Sequence, residues 1–230
     1  MRLVVFGANG PTGRQVTEQA TAAGHTVTAV TRNPDAFPSG RPRLRVEQAD
    51  VLDGPAVQRV VAGHDAVISA LGVPYGRRPV TVYSTGLTHI TRAMTHQGIR
   101  RLVCVSSTIL FDVPAPGEGV LFRTVLEPFF ARIVGRTVYD DMRRMEEIVR
   151  ASDHDWTVLR PAGLFDTGEV SDYRLAPARL PGRFTARADL AHALVHEAVT
   201  EGHPRTFLDV RTTEGTPSLV DLIRKEAFGK

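Results

Sequence analysis

Short β-branched apolar runs alternate along the chain with longer stretches whose apolar residues recur every three or four positions. The first run, Arg2-Leu3-Val4-Val5-Phe6, is continuous, the pattern of a strand buried on both faces. A glycine-rich turn follows it. A helical stretch then extends to about residue 23, where Gly24 stops it. Residues 26–31 and 44–48 read as the second and third strands. Asp53 is placed to cap a short helix, with Pro55 near its start and Val57, Val60 and Val61 as its apolar stripe.

Residues 65–71 form a fourth expected strand, and residues 72–79 a loop of Gly, Pro and Arg. A helix over 81–96 closes at Gly98, a strand covers 101–106, a helix 139–151 and a sixth strand 156–159. A helix near 188–199, a strand near 207–210 and a terminal helix from Ser218 complete the pattern. Alternation of this kind predicts right-handed crossovers and a doubly wound, mostly parallel α/β sheet of Rossmann type, with helices on both faces. The expected organisation is a single domain over residues 1–230, with a small substrate-side region at about 163–183 and a C-terminal segment. Residues 114–119 stack Pro and Gly with few apolar anchors, which suggests a mobile lid or the edge of an insertion. Residues 163–183 read as irregular and as the other wall of a substrate cleft.

Composition changes this picture little. A length of 230 residues suits one large α/β domain, and the net charge of +3 comes from Arg scattered along the chain without a dense run. Scattered excess charge points to solvated faces and an anionic small-molecule ligand, not to nucleic acid. Cys104, the single cysteine, lies in an apolar run, which fits a reducing, cytoplasmic compartment. The strand-like start leaves no room for a signal peptide. The apolar stretch 120–134 is broken by Arg123, Glu127, Pro128 and Arg132, too short and too charged to cross a membrane.

The candidate chemistry begins in the first turn, Gly7-Ala8-Asn9-Gly10-Pro11-Thr12-Gly13. Gly7 permits a tight turn, Gly10 lets the backbone approach a phosphate, and Gly13 lets the helix pack on the strand. The free N–H groups and positive dipole end of that helix then suit a pyrophosphate. Thr12 adds a hydroxyl donor and Arg14 a positive charge. The spacing is G-x-x-G-x-x-G, and no G-K-[ST] follows to make a P-loop. The alternative is a turn that needs its glycines without binding a ligand.

At the end of the second strand an acid would grip the ribose of NAD, whereas an arginine accommodates a 2′-phosphate. This chain has Thr31-Arg32-Asn33-Pro34 there, with no acid until Asp35. Arg32 therefore indicates NADP(H) over NAD(H), unless it is a solvent-facing loop arginine. Asp50 and Val51 close the third strand, a carboxylate for the adenine amino group and an apolar wall for its ring. Ala70-Leu71-Gly72 closes the fourth, its small residues letting backbone lie against the nicotinamide ribose.

Together with Arg32, Asp50-Val51-Leu52, Ser69-Ala70-Leu71-Gly72 and Leu102 through Ser107, the glycine turn resembles the atypical short-chain dehydrogenases. The resemblance is to the NmrA-like branch that includes the biliverdin-IXβ/flavin reductases. Asp140-Asp141-Met142, Trp156 through Pro161 and Ala188-Asp189-Leu190-Ala191 extend it to about residue 200. The stretch 114–137 is longer than in the compact flavin reductases, and the C-terminal helix is additional. In a doubly wound sheet the reacting ends gather outside the carboxyl edge, where the fifth and sixth strands deliver Ser106 and Pro161 as expected cofactor contacts.

Ordinary short-chain dehydrogenases use a Ser and a Tyr acidified by a Lys four residues on. Here Ser107, or Ser106, fills the serine role, and Tyr139 with Arg143 has the matching spacing, with Glu147 beyond it. Arginine keeps a positive charge but does not relay a proton. Ser107 is otherwise a strand-end serine bonded to backbone, and Tyr139 a cleft or helix-start residue. With a flavin as substrate, hydride passes from the nicotinamide to the ring and the protein mainly positions the two.

The leading expectation is therefore an NADPH-dependent reductase of a flavin, quinone or related planar acceptor. The alternatives are a non-catalytic NADP(H)-binding regulator, as some NmrA-like proteins are, and a carbonyl reductase or epimerase using Tyr139. His192 and His196 have the spacing of a metal pair without a third ligand and read as an exposed helix face. Arg77-Arg78 read equally as a cleft rim for an acidic substrate or a solvated loop, Trp156 as core, and Asp189 as a helix cap.

Overall fold

A computed structural model of the chain describes residues 1–38, 40–76, 78–111, 113–117, 135–200 and 202–217. The elements in order are β1 (Arg2–Phe6), α1 (Pro11–Ala22), β2 (Thr26–Thr31), β3 (Leu44–Gln48), α2 (Gly54–Val61), β4 (Ala66–Ser69), α3 (Val82–Gln97) and β5 (Arg101–Val105). They continue with α4 (Arg136–Ala151), β6 (Asp155–Pro161), β7 (Gly163–Phe165), β8 (Tyr173–Ala176), β9 (Phe184–Ala186), α5 (Arg187–Val199) and β10 (Thr206–Thr212).

Eight of these strands form one sheet in the order β3-β2-β1-β4-β5-β6-β10-β8, all parallel except β8. The continuous apolar run of β1 is explained by its place between β2 and β4. Leu3 and Val5 enter the layer under α1 and α5, while Val4 and Phe6 enter the layer under α2, α3 and α4. The chain winds outward from β1 to β3 and then returns across the sheet to β4. Connections diverge at that reversal and leave a crevice outside the carboxyl ends of β1 and β4.

Local chemistry sets several boundaries. The Asp53 side chain accepts from Ala56 N at 3.2 Å and opens α2, and α3 ends on Gly98 at φ 69°. The fourth strand is shorter than residues 65–71, because the Asp65 carboxylate is held by Arg2 N at 2.7 Å and the Arg2 guanidinium at 2.8 Å. Both β6 and β10 are longer than expected, since β10 lies between β6 and antiparallel β8 and is paired along its length.

Residues 163–183 are not irregular: β7 pairs in parallel with β9, and β8 joins the main sheet. Asp189 does not cap its helix. Fully buried in the first turn of α5, it accepts from Ser171 N at 2.7 Å, Ser171 Oγ at 2.9 Å and Thr212 Oγ1 at 2.5 Å. It thereby ties the segment before β8 to α5 and β10. The helix expected from Ser218, Arg77 and most of the stretch 114–137 lie outside the described residues.

Helix α3 is capped from another element. Thr81 gives it no side-chain cap, but the buried Asp141 carboxylate of α4 accepts from Tyr83 N at 2.9 Å and Ser84 N at 3.3 Å, and from the Ser84 hydroxyl. A carboxylate facing two orphan N–H groups and the positive end of the helix is well placed electrostatically. Asp141→Ala is expected to cost about 2 kcal/mol, the scale of a hydrogen bond to a charged group. Thermal unfolding checks the loss, and faster amide exchange at Tyr83 and Ser84 localises it.

Candidate functional site

The glycine turn is built around two close backbone approaches. Gly7 has φ 75°, and a Cβ there would lie 2.4 Å from the Ala70 carbonyl oxygen. A Cβ on Gly13 would lie 2.1 Å from Gly7 O and 2.8 Å from Ala8 Cα. Only hydrogen fits at either position, so α1 and the end of β4 both close onto the turn. Gly10 closes it by donating to Gly7 O at 3.0 Å and serves as N-cap of α1, with Pro11 in the first turn and no side-chain cap. The first-turn N–H groups, Thr12 among them, thus face the crevice without a capping side chain.

Two cations stand at the β2 end of this turn, and their states differ. The Arg14 guanidinium donates to Asn9 Oδ1 at 2.5 Å and Ala36 O at 2.8 Å, and lies 5.8 Å from the centroid of the Phe37 ring. It joins the glycine turn to the loop after β2. Arg32 is exposed, and its side chain makes no hydrogen bond or ion pair among the described residues; Gln48 Nε2 meets only its carbonyl, at 3.2 Å.

At the end of β3, Asp50 Oδ1 accepts from Leu52 N at 3.0 Å, which fixes the turn, and Val51 is buried. Val51 neighbours a glycine that sequence reasoning missed. A Cβ on Gly86 of α3 would lie 2.8 Å from Val51 Cγ2 and 3.3 Å from Leu71 Cδ1. Helix α3 therefore touches both the β3 and the β4 ends of the crevice, while Gly72 beyond Leu71 has open space around it.

The end of β5 brings two serine hydroxyls to the carboxyl edge of the sheet, where β6 ends on Pro161. Ser106 and Pro161 are buried; Ser106 N donates to Leu159 O at 2.8 Å, while its Oγ has no hydrogen-bond partner in the described structure. A buried hydroxyl without a partner is costly unless a ligand satisfies it. The glycine cradle and this orphaned hydroxyl fit a dinucleotide laid across the crevice. Ser107 Oγ accepts from Ile109 N at 3.3 Å.

Tyr139 is buried, and its ring lies over Gly135, where a Cβ would come within 2.2 Å of Tyr139 Cε2. Its hydroxyl is 2.8 Å from that of Tyr75. Burial, then the neighbouring Tyr75, pushes the Tyr139 phenol far above its ordinary pKa, while Ser107 pulls the other way. Arg143 does not acidify it. On the helix it points outward, half exposed, and donates to Asp140 Oδ1 at 2.9 Å. The Tyr139–Arg143 spacing is therefore not a working acid–base dyad, and Glu147 is likewise on the exposed face.

The charged group on the buried face of α4 is Glu146. It pairs with Arg160 through two hydrogen bonds, of 2.9 and 2.5 Å, both side chains being buried. The Arg160 guanidinium lies between the Phe111 ring at 4.5 Å and the Phe207 ring at 4.4 Å. Arg179, also buried, donates to Val113 O at 2.9 Å, joining the segment before β9 to the segment after Ser107. The helical period shows which face carries Glu146, since Val138, Tyr139, Met142, Met145, Glu146 and Val149 share a stripe that Arg143 does not. No comparable pattern identifies Tyr75. His192 and His196 are on the exposed face of α5, where His192 Nδ1 is 2.7 Å from the Tyr173 hydroxyl. Among the described residues no group of three or more His, Cys, Asp or Glu is placed to hold a metal ion.

Fold and cradle define a Rossmann protein with a dinucleotide-type glycine turn. The sequence profile of the NAD(P)H-binding family matches residues 7–201, and the chain belongs to that family. An uncharacterised chloroplastic protein of Arabidopsis thaliana is 30% identical over 210 residues, 87% of this chain and 72% of its own length. An uncharacterised protein of Mycobacterium tuberculosis is 32% identical over 252 aligned residues, which take in all of this chain but only 28% of that longer protein.

Among solved structures, a short-chain dehydrogenase/reductase from Veillonella parvula in complex with NADP superposes with a TM-score of 0.73 at 19% identity, covering 94% of this chain and 95% of that one. An anaerobillin reductase from Escherichia coli O157:H7 gives 0.73 at 22% identity, covering 95% of this chain and 100% of that one. At such identities these structures speak for the fold. Among the described residues no helix is long and apolar enough to cross a membrane.

Proposed function

We propose that the protein is an NADPH-dependent oxidoreductase that passes hydride to a flavin, a quinone or a related planar acceptor. The observation that carries the reading is the pairing of a glycine cradle with a hydroxyl cluster lacking an acidifying cation. Gly7 and Gly13 let β4 and α1 close onto the turn so that the first-turn N–H groups can meet a pyrophosphate, and the orphaned Ser106 hydroxyl offers a contact at the carboxyl end of β5. NADPH supplies the hydride when bound. Ser107 and Tyr139 offer neutral hydroxyls to whatever lies above it, and the Tyr139 phenol is not lowered as a carbonyl reductase or epimerase would need. Acceptors whose reduced forms are stabilised by conjugation place the smallest demand on such a site. The flavin-reductase-like, NmrA-like branch of the family fits this reading. So does the structurally similar anaerobillin reductase, whose name makes it a reductase. Cys104, the single cysteine, is a buried free thiol, which fits a reducing cytoplasm.

NADP(H) is favoured over NAD(H) because Arg32 has an uncommitted guanidinium whereas Arg14 is already held by Asn9 and Ala36. Arg32→Ala is expected to weaken NADPH binding about tenfold to a hundredfold, the range of one charge-assisted hydrogen bond, and to leave NADH binding nearly unchanged. Titration of cofactor fluorescence with both nucleotides measures this; equal losses for both would remove the specificity argument. NADPH oxidation with FMN, 2-methyl-1,4-naphthoquinone and simple ketones tests the reaction itself. Tight NADPH binding without oxidation in any of them would instead favour a dinucleotide-sensing regulator.

A further inference from the structure

The loop that follows β2 carries Arg32 and is fastened at both ends. Towards β3, Gln48 Nε2 donates to Arg32 O at 3.2 Å, and Asn33 N donates to Thr31 Oγ1 at 3.2 Å. Towards the core, Phe37 is buried in the layer under α1, and its N–H donates to Pro34 O at 3.0 Å. Arg14, in the first turn of α1, ties this loop to the glycine turn. Its Nε donates to Asn9 Oδ1 at 3.1 Å and to Asn9 O at 3.3 Å. Its Nη2 is shared between Asn9 Oδ1 at 2.5 Å and Ala36 O at 2.8 Å. The guanidinium carbon stands 5.8 Å from the centroid of the Phe37 ring. Arg14 is an exposed residue, yet these bonds hold its planar fork in one pose. The Nε–Nη2 edge is the one that grips a phosphate with two parallel bonds, and here Asn9 occupies it.

We propose that Arg14 is a positioning residue for NADP(H) preference. It fixes the loop after β2 at the distance from the glycine turn at which Arg32 meets the 2′-phosphate, and does not bind that phosphate itself. The inference rests on the NADP(H) reading above. In a Rossmann protein the ribose of the adenosine half lies between the glycine turn and the end of the second strand. The separation of those two backbone segments sets the room beside the ribose, and the Asn9–Arg14–Ala36 bridge spans it directly. Without the bridge, Arg32 stays on a loop that samples other positions. Affinity then falls by the fraction of time the loop is wrongly placed. NADH has no 2′-phosphate, so its binding does not draw on where Arg32 stands.

Arg14→Met keeps the apolar stem and deletes the fork. Because the residue is exposed, folding is expected to be preserved, and thermal unfolding checks that. Fluorescence titrations with NADPH and NADH give the preference as a ratio of dissociation constants. Arg14→Met is expected to reduce the preference for NADPH about fivefold, less than Arg32→Ala does, since the second cation remains and only its placement is lost. Asn9→Ala leaves the charge of Arg14 in place but removes its side-chain anchor, and should lower the preference in the same direction. In an Arg32→Ala background, adding Arg14→Met should change the ratio by less than about twofold, because the two residues act as a unit. Amide exchange at Phe37 should quicken in Arg14→Met. A wild-type preference in Arg14→Met or in Asn9→Ala overturns the proposal. So does an Arg14→Met loss that adds in full to that of Arg32→Ala, which would make Arg14 a direct phosphate contact. Each of these results leaves the NADP(H) reading standing. An Arg32→Ala protein that keeps the wild-type ratio instead removes that reading, and the positioning role with it.

Discussion

Gly13→Val is expected to reduce NADPH affinity at least a hundredfold, about 2.7 kcal/mol or more in binding free energy. Even the first carbon of the new side chain would lie 2.1 Å from Gly7 O and 2.8 Å from Ala8 Cα. Both are backbone atoms of the turn itself, so no rotamer change relieves the clash. Helix α1 must move off β1, which carries its N-terminal N–H groups away from the pyrophosphate and strains a packed interface by about 1–3 kcal/mol. Gly10→Ala is the informative control, because its Cβ would meet Gly7 O at a tight but adjustable 3.3 Å. Cofactor titration and thermal melting together separate lost binding from lost folding. A Gly13→Val protein that binds NADPH within a few-fold of the wild type would show that the turn does not cradle the cofactor.

Glu146→Ala should be among the most destabilising single changes away from the turn. Arg160 would remain between the Phe111 and Phe207 rings with no carboxylate opposite its charge. Removing one partner of a buried ion pair costs about 3–5 kcal/mol, because the remaining charge is uncompensated. For a domain of this size that corresponds to a fall in melting temperature of about 10 °C. Replacing both partners, as in Glu146→Leu with Arg160→Met, should recover most of the loss, since the cost lies in the orphaned charge more than in the missing bond. A Glu146→Ala melting curve that overlays the wild type would contradict this account.

What the sequence reveals follows from how local the physics is. The glycine turn, the Asp53 cap and the Gly98 stop are decided by residues within a few positions of each other, and all three stand where the sequence places them. Fold class follows too, because the strand–helix alternation admits few topologies. Features that depend on distant partners do not. Asp189 has the look of a helix cap, yet its partners are Ser171 and Thr212. The Asp140-Asp141 pair reads as one motif, but Asp140 meets Arg143 while Asp141 caps a helix more than fifty residues away in the chain. The Tyr139–Arg143 spacing misleads for a helical reason: the apolar stripe of α4 is centred on the side of Tyr139 away from Arg143. Tyr75 is unreadable from sequence because a loop residue acquires its partner only when the loop is fastened.

Gly86 couples parts of the crevice that are separate in the chain. One absent methyl group on α3 makes room for Val51 on one side and Leu71 on the other. Positions 51, 71 and 86 therefore share a fixed allotment of volume. Branched residues at the first two demand a bare backbone at the third, and a side chain gained at 86 has to be matched by trimming at 51 or 71. Homologous chains should accordingly vary at these three positions as a set. A laboratory selection for a wider or narrower crevice should reach its β3 end and its β4 end through the same residue.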